Sequence, residues 1–182
     1  MEGAVNDLVQ WLGEQLDTDA LWASEASRRD DGPIHEGGVH WQWVEPETSA
    51  PVIPDPSRDE LLTDDAGNSR FGLWSVEEFP TKFVGPLPSF AIPSAEEVPA
   101  SVAGHIIRHD PARVLREITS KRQILAQCAY WNERAAQEAA DPPKYPQPGL
   151  DLGLLLDAMN PVLRLLALPY SDRPGYRDEW RP

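Results

Sequence analysis

The chain has 182 residues, enough for one folded domain with a sizeable core, and its 41% apolar and 25% charged residues are ordinary for a globular protein. Its 30 acidic and 16 basic residues give a net charge of −14, which disfavours direct binding to nucleic acid or to an anionic membrane, because both need a positive surface. The single cysteine excludes an internal disulfide, so a reducing, cytoplasmic location is expected.

The N-terminal segment, residues 1–29, is predicted to be a helix. Its apolar residues recur every three or four positions and form one stripe: Val5, Leu8, Val9, Leu12 and Leu16. Asp19 falls on the apolar side, so either the helix kinks or a second helix begins near Asp17. No secretory signal is expected, because early acidic residues interrupt the N-terminus.

Residues 36–79 are predicted to form a small antiparallel sheet of about three strands. The segment VHWQWVE alternates, with Val39, Trp41 and Trp43 on one face, which is typical of a strand. The segment DELLTDDAGNSRFGLW predicts two further strands joined by a turn around Gly67. A sheet of this size needs a helix packed against one face to be stable.

Two Pro-rich segments separate the sheet from the later helices. Residues 80–94 contain four prolines and are expected to cross the fold as an extended segment without secondary structure. Residues 141–149 are a predicted linker.

Residues 95–140, between these two segments, are predicted to be helical. Val98, Val102 and Ile106 form the apolar stripe of the first helix. Asp110, followed by Pro111, predicts the start of the second and longer helix.

The closing residues 150–182 predict a helix and a tail. The helix is so apolar that we expect it to be covered on several sides and to fill the core, while its charged residues argue against a membrane span. The tail is expected to run back over the domain as an extended, ordered strap that is anchored by Tyr170, Tyr176 and Trp180. The whole chain is therefore predicted to be a single α+β domain.

Two segments carry a resemblance to a known family. HIIRHDPARVLREITSKRQIL and LRLLALPYSDRPGYRDEWRP together are similar to an uncharacterised actinobacterial family of short acidic proteins. Its members start with a helix, pass through a Trp-containing strand region and end in an aliphatic run with an aromatic, Arg-containing tail. The resemblance implies the same organisation but no activity, and Arg173 stands where the family would lead us to expect His.

Two histidines have the spacing of metal ligands on a helix. His105 and His109 would face the same way, as two ligands of one metal must. Ile106 stands where hydrolytic zinc helices carry a Glu, and no third ligand lies at a diagnostic spacing. We therefore expect no metal and no cofactor, and keep a small metal-dependent enzyme as an alternative.

Two groups of charged residues are candidates for binding a partner. Residues 30–66 hold ten acids and one base, and they form either a solvated loop or an acidic patch that docks a basic protein through Asp55, Asp59 and Glu60. Arg113 and Arg116 share the polar face of the long helix. They either pair with acids of the same chain or bind an acidic partner.

No catalytic set assembles from the sequence. Cys128 lies on an apolar stripe, Asp110 is explained as a helix cap, and neither a serine nucleophile motif nor a phosphate-binding glycine loop is present. We therefore predict a non-enzymatic cytoplasmic accessory protein that binds another protein, a basic one if the acidic patch is the docking surface. An acidic mimic of nucleic acid, which would inhibit a DNA- or RNA-binding protein, is a further alternative.

Overall fold

The computed structural model describes residues 2–27, 38–55, 62, 69–142 and 151–182. Its helices are α1 (Glu2–Ala26), α2 (Ala100–Arg108), α3 (Pro111–Ala140) and α4 (Leu152–Ala167). Its strands are β1 (Trp41–Val44), β2 (Pro51–Val52), β3 (Arg70–Ser75), β4 (Glu78–Phe79), β5 (Leu87–Pro88) and β6 (Ala91–Glu96). The N-terminal helix, the small antiparallel sheet and the later helices confirm the predicted α+β class.

The chain divides into two compact units. The first consists of Met1–Asp19 and Glu117–Pro182, and the second of Ala20–Arg116. The long helices α1 and α3 therefore each contribute residues to both units.

The second unit contains the main sheet, in the strand order β2-β1-β3-β6 with every pair antiparallel. Its core consists of five buried apolar residues: Trp43, Leu62, Phe71, Leu73 and Ala103. The sheet has four strands rather than three, because β2 and β6 add to the edges. The strand predicted before Gly67 lies outside the described residues, apart from Leu62.

The Pro-rich residues 80–94 are not free of secondary structure, so that prediction was wrong. β4 and β5 pair across a hairpin, and β6 begins at Ala91. The prolines fit because Pro88 lies in a two-stranded ribbon and Pro93 in an edge strand, where a missing N–H can be tolerated. The predicted linker lies mostly outside the described residues, from 143 onwards.

Helix α2 packs through small residues and through part of the predicted stripe, since Val98 and Ile106 pack against the core of the sheet. Its buried positions are Ala100, Ala103 and Gly104, whereas Val102 is exposed. The small side chains let α2 approach the sheet closely enough for Trp43 Nε1 to donate to the carbonyl of Ala103, at 3.0 Å.

Helix α3 begins as predicted. The side chain of Asp110 accepts a hydrogen bond from the backbone N–H of Arg113 at 2.8 Å, and Pro111 is the first helical residue. Cys128 is buried on this helix, and burial raises the pKa of its thiol, which makes the thiolate unfavourable.

Helix α1 is continuous through Asp17, so no second helix begins there. Leu8, Leu12 and Leu16 are buried on one face, as their spacing predicts.

Helix α4 does not fill a core, and that prediction was wrong. Only Leu152, Leu163 and Ala167 are buried, whereas Leu154 and Leu165 are exposed. The helix passes through Pro161 and is capped by Asp151, whose carboxylate accepts from Leu154 N at 3.0 Å. By length and composition alone, Leu152–Tyr170 would suffice to cross a membrane, a test that core helices of soluble proteins also pass.

Candidate functional site

An exposed apolar pair lies at the tip of the β4–β5 hairpin. Phe83 is 95% exposed and Val84 is 76% exposed, and the two are neighbours in the loop of residues 80–86. Single apolar side chains scattered over a surface are normal, so it is the adjacency of Phe83 and Val84 that makes this tip a candidate binding site.

The loop has a defined conformation. Thr81 Oγ1 donates to the carbonyl of Gly85 at 2.6 Å and accepts from the backbone N–H of Val84 at 3.2 Å. Gly85 has a φ of 81°, which is the left-handed region that glycine adopts without strain. One threonine side chain therefore spans the loop and fixes the backbone of Val84 and Gly85, directly after Phe83.

Hydrogen bonds also hold the base of the hairpin. The buried hydroxyl of Ser75 donates to the carbonyl of Glu77 at 2.8 Å and accepts from Phe90 N at 3.0 Å. Ser89 N donates to the same carbonyl of Glu77 at 3.0 Å. These bonds join both ends of the hairpin to the main sheet.

The carboxylate of Glu77 holds a neighbouring segment to this base. It accepts from the backbone N–H groups of Gly38 and His40, both at 3.2 Å, and its Oε1 contacts the ring Nδ1 of His40. Burial alone would raise the pKa of Glu77, but hydrogen bonds from His40 and from the backbone of Glu77, together with the charge of His40, outweigh it and hold the pKa below its usual range. Glu77 is therefore ionised at neutral pH.

The structure brings the two candidate metal ligands together. The rings of His105 and His109 lie 4.0 Å apart between centroids, and both side chains are exposed at the end of α2. The Nδ1 of His109 lies 2.9 Å from the backbone oxygen of His105, which accepts a hydrogen bond when that nitrogen carries the proton. Among the described residues, no group of three or more His, Cys, Asp or Glu side chains could hold a metal ion.

We expect His105→Ala with His109→Ala to leave both the fold and the metal content unchanged. Both rings are exposed, and surface substitutions usually change stability by less than about 0.5 kcal/mol. Elemental analysis of the purified chain and of the double variant, with melting curves for both, checks this. One equivalent of zinc that the double variant loses would establish the metal site and favour the enzyme alternative.

The structure describes three of the five charged candidates: Arg113, Arg116 and Asp55. Nη1 of Arg113 donates to the backbone oxygen of Arg108 at 3.0 Å, so this guanidinium is turned towards the end of α2. Arg116 and Asp55 are exposed. Asp59 and Glu60 lie outside the described residues, so the proposed acidic patch stays a prediction.

The tail residues form an aromatic cluster with Trp11, which we name the tail cluster. Tyr170 and Trp180 are buried and Tyr176 is half-buried, and their ring centroids lie between 5.2 and 6.4 Å from that of Trp11. Trp11 Nε1 donates to the carbonyl of Pro174 at 3.2 Å. Two short 3₁₀ turns, Leu168–Tyr170 and Asp178–Trp180, shape this part of the tail.

Arg173 and Asp19 form an ion pair that the sequence analysis missed. Nη2 of Arg173 lies 2.6 Å from Oδ1 of Asp19, and its guanidinium lies 4.7 Å from the centre of the Tyr170 ring. Burial, with the nearby carboxylate of Asp19, raises the pKa of Tyr170 to about 12. In the sequence, this ion pair was indicated by Asp19, an acidic residue on the apolar side of α1.

The hairpin tip was missed as well. In the sequence, the tip was indicated by two apolar residues, Phe83 and Val84, directly before Gly85 and Pro86, since Gly-Pro marks a turn. A turn that carries two large apolar residues is unusual for a connection that only crosses the fold.

Comparisons with known proteins identify a family but no activity. A family model described as "Family of unknown function (DUF6221)" matches residues 5–182. No curated protein matches the chain. No solved structure matches it either.

Proposed function

The chain belongs to the family of unknown function DUF6221, and we propose that it is a non-enzymatic interaction protein that binds a partner protein at the hairpin tip of residues 80–86. One observation carries this proposal: Phe83 is almost fully exposed on a loop that internal hydrogen bonds already hold.

The loop is already held by its own hydrogen bonds, and this favours binding because it lowers the entropic cost of association. A loop that is ordered before binding loses less conformational freedom when it docks. Aromatic anchors that enter a pocket are among the residues that dominate binding energy at interfaces. The expected partner therefore offers an apolar pocket for Phe83.

The net charge of the chain predicts the charge of the partner residues around that pocket. A net charge of −14 favours a partner whose rim is basic, because opposite charges steer the encounter. Lys82, next to Phe83, is the one basic residue of the loop 80–86, so the tip itself is not acidic.

A photo-crosslinking side chain at position 83 tests the site and captures the partner in the same experiment. We expect benzoylphenylalanine at Phe83, in the full chain expressed in its native host, to capture one protein. The same side chain at Trp22, which is 72% exposed, is the control and should not capture it. Equal capture at both positions, or none at position 83, would exclude the tip as the binding site.

With the captured partner purified, we expect Phe83→Ala to weaken binding at least roughly tenfold, as for an aromatic anchor. Isothermal titration calorimetry measures the change, and Lys82→Ala is the matched control from the same loop. Ser75→Ala provides a second variant, because it removes the hydroxyl that bonds Glu77 and Phe90 at the hairpin base and leaves the residues of the tip unchanged. An affinity unchanged in Phe83→Ala would contradict the proposal.

The mimic of nucleic acid differs from this proposal in its salt dependence. Its evidence is the acidic stretch 30–66, of which the structure describes only part. An affinity that is unchanged in Phe83→Ala and falls steeply with added salt would favour the mimic.

A further inference from the structure

Helix α4 presents an exposed apolar seam with the spacing of a coiled coil. The seam consists of residues separated alternately by four and three positions: Leu154, Ala158, Pro161, Leu165 and Leu168. All five are exposed, Leu154 by 68% and Leu165 by 58%. A repeat of this kind keeps its apolar residues on one line that faces a partner helix.

We propose that this seam packs antiparallel against the same seam of a second copy of the chain and forms a two-fold symmetric dimer. A two-fold interface must be self-complementary, since both copies present the same surface patch to each other.

The residue sizes along the seam meet that requirement. In an antiparallel pair centred between Ala158 and Pro161, Leu154 lies level with Leu165 of the second copy, and Ala158 lies level with Pro161 of the second copy. The large side chains then meet at both ends of the contact, and the small ones meet in the middle, where the helices approach most closely. The same pairing repeats from the other copy, so these four residues match on both sides of the two-fold axis.

The charges beside the seam select the antiparallel direction. Asp157 and Arg164 are seven residues apart and flank the seam on the same side. Antiparallel packing brings Asp157 of one copy beside Arg164 of the other, twice by symmetry. Parallel packing would place each charge level with its own counterpart, which forms no opposite-charge pair.

Arg164 is already oriented for this contact. Its Nε donates to Asn160 Oδ1 at 3.1 Å, and its Nη1 donates to the carbonyl of Arg181 at 3.2 Å. An open groove of about 410 Å³ lies beside it, lined in part by Pro161 and Leu165. The groove lies where Leu154 of the second copy would insert, as a knob inserts into a hole.

A membrane fits this face less well than a second copy. Burying this face of α4 in lipid would take the charges of Asp157 and Arg164 out of water, which is costly. The net charge of −14 also opposes approach to an anionic bilayer.

Sedimentation equilibrium of the full chain tests the dimer. We expect reversible dimerisation within roughly 1–100 µM, a range typical of small interfaces, and at least a tenfold weaker dimer for Leu165→Glu. Leu21→Glu is the matched control, because Leu21 is 59% exposed on α1 and outside the seam. If Leu165→Glu does not fold, Leu154→Glu replaces it. A parent chain that is monomeric up to roughly 100 µM would overturn the proposal, as would a variant that dimerises like the parent.

A charge exchange tests the pairing across the seam. We expect Asp157→Lys to weaken the dimer, and Asp157→Lys with Arg164→Glu to restore it, because the exchange recreates both opposite-charge pairs. A double variant as weak as the single one would overturn the antiparallel pairing.

Cysteine crosslinking tests the direction. In the antiparallel dimer, Leu154 lies about 16 Å along the axis from its own counterpart, so Leu154→Cys alone should not form a disulfide. A mixture of Leu154→Cys and Leu165→Cys chains should crosslink. Crosslinking of either variant alone, or binding of the seam to vesicles of phosphatidylcholine and phosphatidylglycerol without dimerisation, would overturn the proposal.

Discussion

Replacing Trp11 with Ala is expected to lower the free energy of unfolding of the first unit by about 3–5 kcal/mol, the usual cost of removing a large buried aromatic side chain. Trp11 is buried and contacts three aromatic rings of the tail cluster. It also donates the hydrogen bond to Pro174, and Gly175 next to it has a φ of 86° that brings the tail backbone against the indole. Urea titration followed by far-UV circular dichroism measures the loss.

Two controls separate this effect from a general sensitivity to aromatic substitution. Trp22→Ala, on the same helix but exposed, should change stability by less than about 0.5 kcal/mol. Tyr176→Phe should be neutral or slightly stabilising, because its hydroxyl is buried without a hydrogen-bond partner in the described part of the chain. Equal unfolding midpoints for Trp11→Ala and the parent would show that the tail cluster does not stabilise the unit.

The second large effect is a loss of stability in alkaline solution that depends on Tyr170. Burial, then the charge and hydrogen bond of Asp19, raise its pKa from 10.0 to about 12. Folding therefore favours the protonated phenol, and the stabilisation is complete below pH 10. It falls as pH rises through about 12, by about 2–3 kcal/mol in all, because the unfolded chain releases this proton first.

Unfolding measured at a series of alkaline pH values, together with the ultraviolet absorbance of the phenolate, checks this. Tyr170→Phe should lack this part of the pH dependence while keeping the buried ring. Asp19→Asn should lower the pKa of Tyr170 but leave it above its usual value, since burial is the larger cause. A parent chain in which all tyrosines titrate at ordinary values would contradict the expected shift.

Arg173 connects the tail to α1. Its guanidinium bonds Asp19 and also lies over the ring of Tyr170. The residue at this position therefore holds the tail to α1 in this chain.

Several elements could be predicted from the sequence because their causes are local. The stripe from Leu8 to Leu16 specifies α1, since residues three and four apart share a helix face. The cap formed by Asp110 before Pro111 specifies the start of α3, since a cap bonds a backbone N–H only three residues away. The alternation around Trp43 specifies β1 in the same way.

The sequence by itself thus determined the helices and the strands β1 and β3, while the tertiary structure decided the strand pairing within residues 80–94 and which side chains find partners. Composition predicted that α4 is covered on several sides, yet burial requires a covering element, and Leu154, Val162 and Leu165 have none in the described chain. Asp19 and Arg173 are 154 residues apart, so no local pattern pairs them. Phe83 lies in the loop that the pairing of β4 with β5 closes, and that pairing depends on backbone hydrogen bonds rather than on the identity of Phe83.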